Sequence, residues 1–304
     1  ETALKSAQLQ RINTWSRFQK HVNQDEERGS VRWRTLLDVA LQPDQLYIFS
    51  QPCYLLDKRN EPSVEHFELF ARINDPEKGV IKASRFNSAV ESIGYEATLD
   101  KAVVKTIIRH IRHSNDSNSY SINLHVIPFA ERSFFKWFRD ELLQLTSEQR
   151  SRLSFEFAEA RLVKHLDYIR PVAKMITGLG SSVVVGQAGR SIVSTHYLKE
   201  FPVSYLKLHR SLIKKIDQRH ENQLFVRSLL GACAGLKTQV IAVGVDNKQE
   251  HRTMLELGVH GIQGRYLAAE QQMLPKPKVV ERNEPMQVKQ NKVQIGRRNR
   301  WRKA

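Results

Sequence analysis

The sequence predicts an α/β fold, a closed (β/α)8 TIM-like barrel followed by a basic C-terminal tail. Short apolar, β-branched or aromatic runs alternate with longer amphipathic stretches through the middle of the chain. There are eight such runs, and no glycine-rich dinucleotide turn follows the first of them, as a doubly wound sheet would require. With 304 residues, 40% of them apolar, the chain can build one barrel-sized core with short appendages.

The eight strands are expected at 46–50, 64–72, 120–126, 153–158, 182–185, 203–208, 239–243 and 258–263, all parallel. Between them, apolar residues at three-to-four spacing predict helices at 99–113, 133–145, 165–178, 221–236 and 248–258. Ahead of the barrel, residues 2–17 read as a helix and 24–30 as a polar linker. After Leu274 come Pro275, Pro277, Pro285 and many cations with almost no aromatics, a composition expected to be disordered on its own. The expected division is therefore residues 1–30 as an upstream end and linker helix, 31–274 as the barrel, and 275–304 as the tail.

Charge is unevenly placed. The net charge is +16, and residues 276–304 hold ten Lys/Arg against two acids, so half of the excess lies in the last tenth of the chain. No apolar run of about 18 residues marks a membrane span, and no signal segment opens the chain. Cys53 and Cys233 lie far apart without ligand spacing, so a reducing cytoplasm is expected, with neither disulfide nor zinc. His110 and His113 are expected at the surface, since no third ligand accompanies them. The chain begins at Glu1 and is expected to be a soluble piece of a longer protein.

In a barrel of this kind the carboxyl ends of the strands converge on one face. The polar residues brought there are Gln51, Glu68, Arg72, Asn123, Glu156, Lys207 and Gln263. In order along the chain, Glu68-Leu69-Phe70-Ala71-Arg72, Ile122-Asn123-Leu124, Phe155-Glu156-Phe157-Ala158-Glu159, Tyr205-Leu206-Lys207-Leu208, Val240-Ile241-Ala242-Val243 and Gly261-Ile262-Gln263-Gly264 resemble the strand motifs of the EAL-domain cyclic di-GMP phosphodiesterases. By this resemblance Glu68, Asn123 and Glu156 stand where the family binds metal, and Lys207 where it orients the attacking water. Gln51, Arg72 and Gln263 stand where it contacts the nucleotide.

Three of the family's metal carboxylates are missing: Gly186 and Gln187 replace an aspartate pair, and Val243 replaces a glutamate. Two divalent ions about 4 Å apart repel by about 17 kcal/mol at an effective dielectric near 20, and need a dense ring of carboxylates. Five carboxylates in the family become two here, so no metal, no cofactor and no hydrolysis are expected. The residues left are expected to persist as a buried ion cluster. The loop Gly186-Gln187-Ala188-Gly189-Arg190 is open to a second reading, as a backbone-exposing phosphate or RNA cradle.

Residues 2–10 resemble the last helix of a GGDEF domain. With the Glu-Leu-Phe core and the lost aspartates, this points to degenerate EAL-domain regulators of the CsrD (MshH) type. The resemblance implies a cytoplasmic domain of a protein anchored in the bacterial inner membrane, which promotes RNase E-dependent turnover of Csr small RNAs and contacts the EIIA-Glc protein of the phosphotransferase system. It also implies a possible homodimer. A non-hydrolysing cyclic di-GMP receptor ranks second, and a residual cyclic di-GMP phosphodiesterase third. In the tail, Arg297, Arg298, Arg300, Trp301, Arg302 and Lys303 set one aromatic among cations, a pattern suited to RNA backbones and unpaired bases, and equally to solubilising or docking arms.

Overall fold

The computed structural model describes residues 24–191 and 193–274, excepting the side chains of 24–28. The helix expected at 2–17, the GGDEF-like segment and the whole basic tail lie outside these residues. In chain order the strands are β1 (Tyr47–Leu56), β2 (Pro62–Asp75), β3 (Gly79–Lys82), β4 (Tyr120–Leu124), β5 (Leu153–Ala158), β6 (Ser182–Ala188), β7 (Tyr205–Leu208), β8 (Gln239–Val243), β9 (Gly261–Gln263) and β10 (Gln271–Gln272). Eight of them, β1, β2 and β4 to β9, close into a barrel.

The closure corrects the expectation of an all-parallel barrel. From β2 through β9 the barrel pairs are parallel, but β1 runs antiparallel to both β2 and β9. The cause is the length of the connection. Only residues 57–61 join β1 to β2, whereas a parallel crossover needs about a dozen residues or more. The Asp57 carboxylate closes the turn by accepting the amides of Arg59 at 2.7 Å and Glu61 at 2.8 Å. β3 and β10, which the sequence pattern does not mark, pair with the far half of β2 and the start of β1. The result is a small antiparallel extension beside the barrel.

Each predicted helix is present, with ends shifted by a few residues: Glu96–His113, Arg132–Leu142, Leu166–Gly178, His220–Cys233 and Lys248–Leu257. The polar linker expected at 24–30 is instead the start of a helix, Gln24–Ala40. Its first turns are rich in good helix formers, and Trp33, Leu36, Leu37 and Ala40 recur on one face against the core. A further helix, Ala83–Ile93, has only a faint sequence signal, because only Phe86 and Val90 among its residues are fully buried. Among the described residues no helix is long and apolar enough to cross a membrane.

Strand alternation divides the core into two layers. Outward residues meet the helices: Phe155 packs edge-to-face on Phe138 at 5.0 Å, and Phe157 on Phe129 at 5.9 Å. Inward residues fill the barrel. Such interiors are usually layers of branched apolar side chains, but here Val184, Ile241 and Cys53 share the barrel with Glu68, Glu156 and Lys207, all buried. The barrel's centre is therefore held partly by charge.

Candidate functional site

Register brings the inward side chains together. Gln51 lies opposite Glu68, Asn123 opposite Glu156, and Val243 opposite Gln263. Lys207 reaches across from β7, and its Nζ lies 2.7 Å from Glu68 Oε2 and 2.8 Å from Glu156 Oε2. Glu68 also accepts Asn123 Nδ2 at 3.0 Å and Gln263 Nε2 at 2.9 Å. Gln263 reaches Gln51 Oε1 at 3.4 Å, and Gln51 in turn donates to the Ala268 carbonyl at 2.8 Å. Relative exposure is 6% for Glu68, 7% for Glu156, 1% for Lys207 and 0% for Gln263. This is the buried ion cluster expected from the sequence, with the exposed Asn123 at its edge.

The two carboxylates are not equivalent. Burial raises the Glu68 carboxyl, but Lys207 and the donors Asn123 and Gln263 outweigh it and hold the group below the usual carboxylate range. Burial and the nearby Glu68 charge push Glu156 up to about 7, because Lys207 alone opposes them. Burial disfavours the Lys207 charge, yet Glu156 and Glu68 together raise its pKa, so the ammonium persists. His66, two residues before Glu68, is buried with both ring nitrogens unpartnered among the described residues. Burial, then Lys207, lowers its pKa to about 3 and keeps it neutral.

The positions of the missing carboxylates have been remade. A Cβ built at Gly186 would lie 2.0 Å from Glu156 Oε1, so the Glu156 carboxylate occupies the space a side chain there would need. Gln187 is exposed, at φ 58°, and accepts Arg190 Nη1 at 2.7 Å. Val243 offers no oxygen. The loop's capacity to cradle a phosphate is reduced as well, because the Gly189 amide donates to Glu159 Oε2 at 3.0 Å. Tyr197 donates to the other Glu159 oxygen at 2.8 Å. The sequence gives no hint of this role for Glu159, although it stands three residues after Glu156 in an otherwise apolar run.

Arg72 is separated from this cluster. It lies on the antiparallel extension, stacked 3.8 Å over the Phe49 ring and paired with Glu270. Glu270 also had no sequence signal, since only the return of the chain to β1 places it there. His110 is half-buried, contrary to expectation. Its Nε2 meets Asp116 Oδ2 at 3.1 Å, and Tyr120 donates to the same oxygen at 2.8 Å, so the ring is part of a loop-anchoring network. His113 is exposed. Cys53 and Cys233 are free and buried.

A barrel whose first strand runs antiparallel to both neighbours, with a polar ring at the ends of its strands, is the architecture of a known signalling domain. The EAL domain family model matches residues 35–270, and the chain belongs to that family. Among curated proteins it is 35% identical, over 89% of its length, to the RNase E specificity factor CsrD of Escherichia coli K12, and spans 41% of that protein. It is 27% identical, over 76% of its length, to the cyclic di-GMP phosphodiesterase PdeR of the same organism, and spans 34% of it. Among solved structures, the Xanthomonas citri FimX EAL domain in complex with cyclic di-GMP aligns with a TM-score of 0.71 at 20% identity, covering 83% of this chain and 98% of that one. The PaMucR phosphodiesterase in its cyclic di-GMP complex aligns at 0.67 and 22% identity, covering 79% and 97%. At such identities these two structures speak to the fold alone.

Proposed function

We propose that this EAL domain does not hydrolyse phosphodiesters and acts by recognition, as a regulator of the CsrD kind. In this reading it promotes RNase E-dependent turnover of Csr small RNAs through contacts with EIIA-Glc and with RNA. It is the cytoplasmic part of a membrane-anchored parent. The observation that carries the non-catalytic half is the Lys207 ammonium seated between Glu68 and Glu156 at 2.7 and 2.8 Å. A cation seated between the two remaining carboxylates already takes up part of the negative charge that a metal would need.

The family's two divalent ions do not fit these residues. Glu156 fills the space above Gly186, Gln187 is turned outward, and Val243 is apolar. Among the described residues no group of three or more His, Cys, Asp or Glu is arranged to hold a metal ion. No step of phosphodiester hydrolysis is therefore assigned to any residue here. The regulatory half is supported by the 35% identity to a protein named as an RNase E specificity factor. The chain spans less than half of that protein.

A non-hydrolysing cyclic di-GMP receptor is the second reading, favoured by the retention of Gln51, Arg72 and Gln263. Against it, each of the three is engaged within the chain: Gln51 with Ala268, Gln263 with Glu68, and Arg72 with Glu270. Two assays separate the readings. Incubation with cyclic di-GMP and magnesium or manganese should give no linear product. Titration with both phospho-states of EIIA-Glc should give saturable binding to at least one. Linear product refutes the non-catalytic half, and the absence of EIIA-Glc binding refutes the regulatory half.

A further inference from the structure

We infer that the helix Glu96–His113 carries a docking row for single-stranded RNA, whose phosphates lie along four cations on the outside of the barrel. The helix buries Leu99, Val103, Val104, Ile107, Ile108 and Ile111, so its period fixes the opposite face toward solvent. That face shows Lys101, Lys105, Arg109 and Arg112, all exposed, at spacings of four, four and three residues. At a rise of about 1.5 Å per residue the row runs about 16 Å. It holds no acid, because Glu96 stands in the first turn ahead of it, and Asp100 is buried and bound to His125 at 2.7 Å.

Little on the chain neutralises these cations. Among the described residues only Arg109 has a carboxylate partner, Asp44 at 2.7 Å, and both groups of that pair are exposed, so water weakens it. Arg112 donates to a neutral oxygen, Gln144 Oε1, at 3.2 Å. Glu141, on the neighbouring helix Arg132–Leu142, accepts Trp137 Nε1 at 3.0 Å on one oxygen and Gln144 Nε2 at 2.9 Å on the other. The Lys101 ammonium stands 5.5 Å from the centre of the Trp137 ring, so a half-buried aromatic borders the row.

The chemistry of the row selects a phosphate backbone over a protein or a lipid surface. Protein interfaces are anchored by apolar and aromatic side chains at a core depleted of charge, and a helix lying on a membrane inserts an apolar face. None of the large apolar side chains exposed among the described residues belongs to this helix. A nucleic-acid strand needs no such anchor, since a line of cations follows its backbone and an aromatic beside the line can stack on a base. A single strand brings unpaired bases to that ring, which a duplex keeps inside its own stack. The row shares no residue with Gln51, Arg72 and Gln263, which stand where the family contacts its nucleotide. The inference rests on the proposed contact with RNA and gives it a place on the folded barrel, separate from the tail at 276–304.

Fluorescence anisotropy of a labelled single-stranded oligouridylate, titrated with the full chain at several salt concentrations, tests it. The variants are Lys101→Gln with Lys105→Gln, which removes two charges, and Lys101→Arg with Lys105→Arg, which keeps them, each with a melting curve. The glutamine pair should weaken binding about tenfold or more at low salt and lower the slope of log K against log salt by about 1.4, or about 0.7 per phosphate contact. The arginine pair should keep both. Unchanged affinity and slope in the folded glutamine pair overturns the inference, as does an equal loss in the arginine pair. A glutamine pair that keeps RNA binding but loses binding to phosphatidylglycerol vesicles or to EIIA-Glc makes the row a lipid or protein face, and also overturns it. If the unmodified chain binds no RNA, the RNA contact of the proposed function fails as well, whereas RNA binding that ignores the row leaves that contact standing.

Discussion

Lys207 decides the character of the site at the scale of single residues. Removing one partner of a buried ion cluster leaves the others charged and unpaired, which costs about 3–5 kcal/mol. Lys207→Met should therefore lower unfolding stability by about that amount in urea titrations, and a loss under about 1 kcal/mol would contradict the cluster's structural role. Glu156 makes a second prediction, through pH. Its carboxyl titrates near 7 in the folded chain, against an ordinary value of 4.5. Between these values the folded state holds a proton that the unfolded state has lost, so this group's contribution to stability falls as pH rises from 4.5 to about 7. The full effect is about 3 kcal/mol, at 1.36 kcal/mol per pH unit. Glu156→Gln should flatten the dependence of stability on pH between 5 and 7, and an unchanged slope would exclude Glu156 as its source. Much of this was legible in the sequence, because residue type and strand period placed Glu68, Glu156 and Lys207 on one face. What was not legible is that Glu156 fills the space over Gly186, since that depends on a side-chain direction that no spacing encodes.

Among the elements, the helix Gln24–Ala40 shows how a polar segment gains structure from its neighbours. Its second half supplies Leu37, which is fully buried, and the first half continues the same helix. Leu37→Ala should cost about 2–5 kcal/mol, through lost burial and the cavity left behind. A chemical-denaturation midpoint unmoved by the substitution would show that the helix does not belong to the barrel's core. Strand positions were legible because β-branched and aromatic runs are short and bounded. The direction of β1 was not, because the runs read at 46–50 and 64–72 leave room for a parallel crossover, and only the extension of both strands to Leu56 and Pro62 cuts the connection to residues 57–61. β3 and β10 were not, because they carry no alternation of their own and exist only as partners of β2 and β1.

For the whole molecule, charge and core describe different parts. The barrel's burial defines the EAL fold, while half of the net positive charge lies in residues 276–304. If that tail binds RNA, deleting residues 276–304 should weaken the affinity and reduce its salt dependence, because every phosphate left without its cation takes nearly one unit off the slope of log K against log salt. Equal affinity and equal slope with and without the tail would assign RNA binding elsewhere. A homodimer remains a proposal at this scale, for which sedimentation equilibrium is the direct check.

Manganese titration of the purified chain, followed by electron paramagnetic resonance, bears most directly on the claim that Lys207 stands in for metal between Glu68 and Glu156. The account predicts no saturable site below millimolar manganese. Two ions per chain bound at micromolar concentration, and released in Glu68→Gln, would contradict it.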